Sequence, residues 1–286
     1  MVTIDAHVHA HLRGNHIGND PARGPDWDGP AETLLERMEA SGVDKAVLVP
    51  INPHPDNHQY LADCIAKYPG RFAAVGVHDP DAPDPGADYA RRADAYRLQG
   101  TRVKDLLADA DTPVEELFMF PLLAELERRG HNLWLFGQAA DIPQLPRILD
   151  RLPDLKVGLN LMGYPSAGGS VAEDGRPHRR HAGIPPVTLP GVLELAAYEN
   201  VHVMLGGLYQ FSLEPHPHKD LGDVVRALFE AYGAQRCFWA SDWPWIEEIP
   251  GYKVMPDIID ANLPNLSADA RAEIFGGTAS RLFDFS

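Results

Sequence analysis

Two hydrophobic rhythms alternate along this chain. Short apolar runs rich in branched and aromatic residues read as buried strands, and apolar positions three and four apart read as amphipathic helices. Strands are predicted over Ile4–His9, Lys45–Ile51, Phe72–His78, Gly100–Lys104, Asn132–Phe136, Lys156–Met162, Val201–Leu205 and Arg236–Ser241. Helices are predicted over Pro30–Ser41, His58–Tyr68, Tyr89–Leu98, Pro121–Arg129, Ile142–Leu152, Leu189–Tyr198 and Leu221–Tyr232. In the first helix Leu34, Leu35 and Met38 form the apolar face and Gly42 supplies the stop. Strands alternating with helices imply parallel βαβ units, and eight strands favour closure into an α/β fold of the (β/α)8 barrel type. An open doubly wound sheet is the runner-up, weakened because no Gly-x-Gly-x-x-Gly follows the first strand. No linker divides the chain, so residues 1–286 read as one barrel domain with a long loop, Gly163–Pro186, after the sixth strand.

Composition narrows the partners. Of 286 residues 44% are hydrophobic, enough for a sizeable core, and the formal net charge is −16. That charge argues against nucleic acid and against anionic membranes. A small anionic molecule remains an acceptable substrate, because a few local arginines outweigh a distant field. Cys64 and Cys237 read as buried packing, and the two form no disulfide framework. Neither a charged-then-apolar leader nor an apolar run of spanning length is present, so a cytoplasmic protein is the default expectation. Homo-oligomerisation is left open.

The chemistry concentrates at the two ends of the chain. His7 and His9 are two apart on the first strand, so both imidazoles leave one face, where they can grip a metal ion or a substrate oxygen. Phe238-Trp239-Ala240-Ser241-Asp242-Trp243-Pro244 looks like another strand ending in a carboxylate. Asp242 suits either a turn or a base that takes a proton from water.

With those residues placed on the first and last strands, the pattern resembles the amidohydrolase-related (amidohydrolase 2) family of TIM-barrel hydrolases. Within it the chain is most similar to pyrone dicarboxylate lactonases and sugar lactonases. The carrying residues are Ile4-Asp5-Ala6-His7-Val8-His9, Tyr68-Pro69-Gly70-Arg71-Phe72, Asp79-Pro80 and Gly100-Thr101-Arg102. Further along they are Met162-Gly163-Tyr164-Pro165, Gly207-Leu208-Tyr209 and Ser241-Asp242-Trp243-Pro244. The resemblance implies a hydrolase acting on a small carboxylated lactone, ester or amide, with Asp242 activating water and His7 and His9 polarising the carbonyl. It equally allows a metal-dependent decarboxylase or carbon–carbon lyase, or a barrel that binds a ligand without turnover.

Three departures bear on the cofactor. The family's strand-six His becomes Leu161, strand five offers Phe136, and a strand-seven Lys gives way to Met204. His7, His9 and Asp242 alone leave a divalent ion short of ligands, so the expectation is either no cofactor or one divalent metal such as zinc. His78 is a further candidate ligand, and a modified Lys104 a remoter one.

Arg102 matches a family arginine that faces a substrate carboxylate; an internal salt bridge to Asp5 or Asp242 is the equal alternative. In the long loop Arg176, His178 and Arg179 belong to the one concentrated run of positive charge and are candidate substrate contacts. His54, Asn160 and Tyr209 are candidate contacts at the ends of other strands, and Trp243 could wall a ring-shaped substrate.

Overall fold

A computed structural model describes residues 2–12, 29–166, 170–171 and 177–286. Eight parallel strands form one sheet in chain order: β1 Ile4–Val8, β2 Lys45–Leu48, β3 Phe72–Val77, β4 Leu98–Val103, β5 Asn132–Leu135, β6 Lys156–Leu159, β7 Val201–Gly206 and β8 Cys237–Ala240. The seam between β8 and β1 is closed by backbone hydrogen bonds. Asp242 N–H donates to the His7 carbonyl at 3.1 Å, and His9 N–H donates to the Trp243 carbonyl at 2.7 Å. The buried Asp5 carboxylate adds a third tie, accepting from Ser241 N–H at 2.9 Å. The predicted (β/α)8 barrel is therefore the fold, and the open sheet is not.

The helices that cover the barrel are α1 Ala31–Ser41, α2 Pro55–Lys67, α3 Pro85–Tyr96, α4 Phe120–Arg129, α5 Leu145–Arg151, α6 Leu189–Glu194 and α7 Gly222–Tyr232, followed by short α8 Asp257–Asn262, α9 Ala268–Ala272 and α10 Thr278–Leu282. Two begin earlier than the apolar periodicity suggests. His54 accepts from Asp56 N–H ahead of α2, and Asp84 accepts from Ala87 N–H ahead of α3. In both, proline follows at the first helical position, where its missing N–H costs nothing. Leu98 belongs to β4 and not to the preceding helix. The sixth strand stops at Leu159, because Leu161 and Met162 take positive φ in a tight turn.

All strand residues except Lys45, Gln99, Lys156 and His202 are buried, as expected when helices wrap one face and the barrel interior fills the other. The registers of β1 on β2 and of β3 on β4 shift once each, between Asp5 and Val8 and between Ala74 and Gly76. Such irregularities re-aim side chains near barrel rims; His7 and Arg102 lie at or just beyond them. No described helix is long and apolar enough to cross a membrane.

Candidate active site

Three ionisable groups from the chain's two ends meet at the C-terminal mouth of the barrel. His7 Nε2 lies 3.2 Å from His9 Nε2, and Asp242 Oδ1 lies 3.2 Å from His9 Nε2 and 3.8 Å from His7 Nε2. All three side chains are buried. Asp242 stands in the left-handed backbone region, with φ 62°. Aspartate tolerates that conformation better than most residues, which fits the turn reading of Asp242.

The partners behind each group set its state. Asp242 Oδ2 accepts from the Tyr209 hydroxyl and from the Gln210 amide, each at 2.8 Å, which leaves Oδ1 facing the imidazoles. Burial raises this carboxyl, but His9, His7 and the Tyr209 hydroxyl outweigh it, and the net effect holds Asp242 below its ordinary value. His7 is pushed well below the usual imidazole range, first by burial, then by the neighbouring His9 and Arg102 against an opposing pull from Asp242. His9 Nδ1 is 2.8 Å from the Val49 carbonyl, which can only accept, so His9 carries its proton on Nδ1.

A buried guanidinium group, that of Arg102, and a half-buried one, that of Arg179, flank the cluster. Arg102 is 7% exposed; its Nη2 donates to the Pro50 and Ile51 carbonyls at 3.2 and 3.1 Å, and its Nε has no partner among the described residues. Burial lowers it to about 10, reinforced by Arg179 and opposed by Asp242, so it stays charged at neutral pH. The salt bridge to Asp5 or Asp242 does not form: Asp5 is occupied by Ser241 and Tyr252, and Asp242 by the groups above. Arg179 donates to Gln210 Oε1 and to the Ser166 carbonyl, and its guanidinium lies 4.8 Å over the Phe136 ring. Phe136 thus gives the Arg179 cation an aromatic platform. Among the described residues, no carboxylate lies within ion-pair distance of Arg102 or Arg179.

The other candidates scatter. Asn160 is buried beyond β6, its amide N–H donating to the Gly158 carbonyl and its Oδ1 without a partner among the described residues. His178 is half-buried in a two-residue antiparallel pairing of Ser170–Val171 with Pro177–His178. Arg176 lies outside the described residues. His54 caps α2 with its side chain more than half exposed. Lys104 lies exposed beyond the end of β4, which removes the modified-lysine reading, and half-buried His78 is absent from the cluster. Trp243 is fully buried and donates to Glu247, so it packs and walls nothing; the half-buried Trp245 is the indole beside His9, at 6.3 Å between ring centres. Leu161 sits against the Asp242 turn, where an added Cβ on Gly207 would collide with it. Cys64 and Cys237 are buried, and burial pushes the thiols up to about 11 and about 12. Sequence reasoning missed Gln210 and Trp134, whose parts are played by hydrogen bonds between distant elements.

Whether the cluster suits a divalent ion has a divided answer. Its donor atoms all lie within 4.8 Å of one another, close to the spacing of about 3.4 Å between ligands of a tetrahedral zinc. His9, backed by a carbonyl, has the right partner for a ligand. His7 does not: the group behind its Nδ1, at 2.8 Å, is the Trp134 indole N–H, a donor. A histidine that binds metal through Nε2 needs an acceptor there. The set as built does not fit an ion held through His7.

The structure is a closed (β/α)8 barrel with a buried histidine pair at the end of β1 and a carboxylate just past β8, at the C-terminal strand ends where barrels of this class keep their active sites. The Amidohydrolase family profile matches residues 4–285, and the chain belongs to that family of hydrolases. Over 98% of its length it is 30% identical to the L-fucono-1,5-lactonase of Burkholderia ambifaria, covering 94% of that protein. A Pseudomonas putida protein classed as a 2-pyrone-4,6-dicarboxylic acid hydrolase is 27% identical, with a TM-score of 0.73, 99% of this chain and 98% of that one being covered. An amidohydrolase of Burkholderia multivorans crystallised with zinc, 23% identical, has the same fold with a TM-score of 0.76 and 99% coverage of both chains.

Proposed function

We propose that the protein hydrolyses a small lactone carrying at least one carboxylate, and that Asp242 is the base. The observation that carries the substrate class is the pair Arg102 and Arg179. A buried and a half-buried guanidinium group without a carboxylate partner among the described residues are costly unless an anion completes them. The hydrolase named for a pyrone dicarboxylate has a substrate of this kind, whereas a neutral sugar lactone offers these arginines nothing ionic.

The chemistry follows from the atoms that face inward. Asp242 Oδ1 takes a proton from water as the water oxygen bonds to the lactone carbonyl carbon. His7 Nε2–H donates to the carbonyl oxygen as negative charge develops there. When the ring carbon–oxygen bond breaks, the leaving oxygen takes the proton back from Asp242, and the product is the ring-opened hydroxy acid. Arg102 and Arg179 hold the remote carboxylate, which fixes the scissile carbonyl against His7. Lactones are activated enough for this route, and no step needs an ion. The lyase alternative asks for a divalent ion on these three residues, and the donor behind His7 weighs against it.

Steady-state rates on a carboxylated pyrone or furanone lactone and on a neutral sugar lactone test the reading, with wild type and Arg102→Met. The carboxylated substrate should be preferred, and Arg102→Met should raise its KM by about 30- to 100-fold, as for a lost hydrogen bond to a charged group, with little effect on the neutral lactone. Equal turnover of both by wild type, unaffected by Arg102→Met, overturns it.

A further inference from the structure

The geometry points to Trp134 as a positioning residue that fixes which nitrogen of His7 carries the proton. An indole N–H can only donate, so at 2.8 Å it makes His7 Nδ1 the acceptor. Neutral His7 must then hold its proton on Nε2. His9 differs, because the Val49 carbonyl claims a proton on its Nδ1. His9 Nε2 lies 3.2 Å both from His7 Nε2 and from Asp242 Oδ1, so the proton on His7 Nε2 points into the cluster. Trp134 thus fixes an inward-facing proton on His7 Nε2, while the Val49 carbonyl fixes a proton on His9 Nδ1.

The indole cannot turn its N–H aside. Trp134 has no exposed surface, stacks on Phe238 at 5.0 Å between ring centres, and meets Phe283 edge-on at 5.4 Å. The adjacent parallel strand β6 pairs Gly158 with Trp134, and any Cβ there would strike the indole. Its plane lies within 10° of that of His7. To offer a lone pair at Nε2, His7 would have to place a proton on Nδ1, head to head with the indole N–H. The same hydrogen bond therefore readies His7 to donate to a carbonyl oxygen and withholds it from a metal ion. What the proton is used for rests on the hydrolase reading; its position does not, and is read without substrate.

The test is long-range proton–nitrogen NMR on the metal-free protein with labelled histidine, the His7 signals being those missing from His7→Gln. Wild type should show His7 protonated on Nε2 alone, and one equivalent of zinc should leave the His7 pattern unchanged. In Trp134→Phe, which keeps a ring and loses the donor, the His7 protons should redistribute and zinc affinity should rise at least tenfold. A merely structural indole would alter the melting temperature and leave the tautomer alone. Wild-type His7 protonated on Nδ1, zinc taking up its Nε2, or an unchanged His7 pattern in Trp134→Phe each overturns the proposal. If Trp134→Phe does not fold, the wild-type spectrum with and without zinc still decides. Failure on the lactone panel would leave these spectra as they are, so the two readings fail separately.

Discussion

Gln210 donates to Asp242 Oδ2 at 2.8 Å while its other amide atom accepts from Arg179. One side chain therefore ties the carboxylate at the centre of the cluster to a guanidinium at its rim. A shift of Arg179 toward an anion would pass through Gln210 to the orientation of Asp242.

That link predicts a pH effect. Gln210→Glu puts a second carboxylate beside Asp242, and a like charge disfavours ionisation, so Asp242 should titrate higher than in wild type. Asp242 acts as a base only when ionised, so the acid limb of the kcat/KM profile should move to higher pH. Gln210→Leu, which removes the same donor but adds no charge, should weaken turnover and move that limb up by less. Profiles of the two variants beside wild type separate charge from packing.

The barrel and part of its centre are legible in the residues themselves. Eight apolar runs separated by helical periodicity specify the parallel order, and His7, His9 and Asp242 meet because a closed barrel brings the first and last strands together. Element ends are less legible. Pro55 and Pro85 look like breakers until His54 and Asp84 are seen capping the helices they start. The parts of Trp134, Gln210 and the Val49 carbonyl are not legible, since each depends on one hydrogen bond between residues 127, 32 and 40 positions apart. A tryptophan inside an apolar strand does carry one signal: its N–H usually finds a partner when buried.

Asp242→Asn should reduce kcat by about 10²- to 10⁴-fold, the usual worth of a general base, with KM changed by no more than about threefold. The amide keeps the shape and an oxygen for Tyr209 and Gln210, so the melting temperature should hold. Turnover at the wild-type rate would remove Asp242 from the chemistry.

Gly207 precedes Tyr209 and Gln210 at φ 68°, with the Leu161 side chain in the space a Cβ would take and Asp242 Oδ2 only 3.7 Å from it. Gly207→Ala should therefore combine left-handed backbone strain with overpacking, a loss of about 2–4 kcal/mol in unfolding free energy. Activity should fall as well, because the collision pushes on the turn that presents Asp242's partners. Denaturant unfolding measures the first effect, and kcat on any accepted lactone the second.

Asp5 provides the clearest link between pH and stability. Burial raises its carboxyl from 3.8 to about 6, against hydrogen bonds from Ser241, Tyr252 and His7 that pull the other way. The folded protein therefore holds this proton more tightly than the unfolded chain. Below pH 4 the group is neutral in both states and has no effect. Between about pH 4 and 6 the unfolded chain ionises first, so stability falls as pH rises, levelling off above 6. The difference in titration is worth about 3 kcal/mol. Asp5→Asn is neutral at every pH and can still accept from Ser241 N–H while donating to the Tyr252 oxygen. Thermal or urea unfolding from pH 4 to 7 should show Asp5→Asn gaining on wild type as pH rises. A stability difference that stays constant across that range would mean Asp5 is already ionised in the folded protein at pH 4.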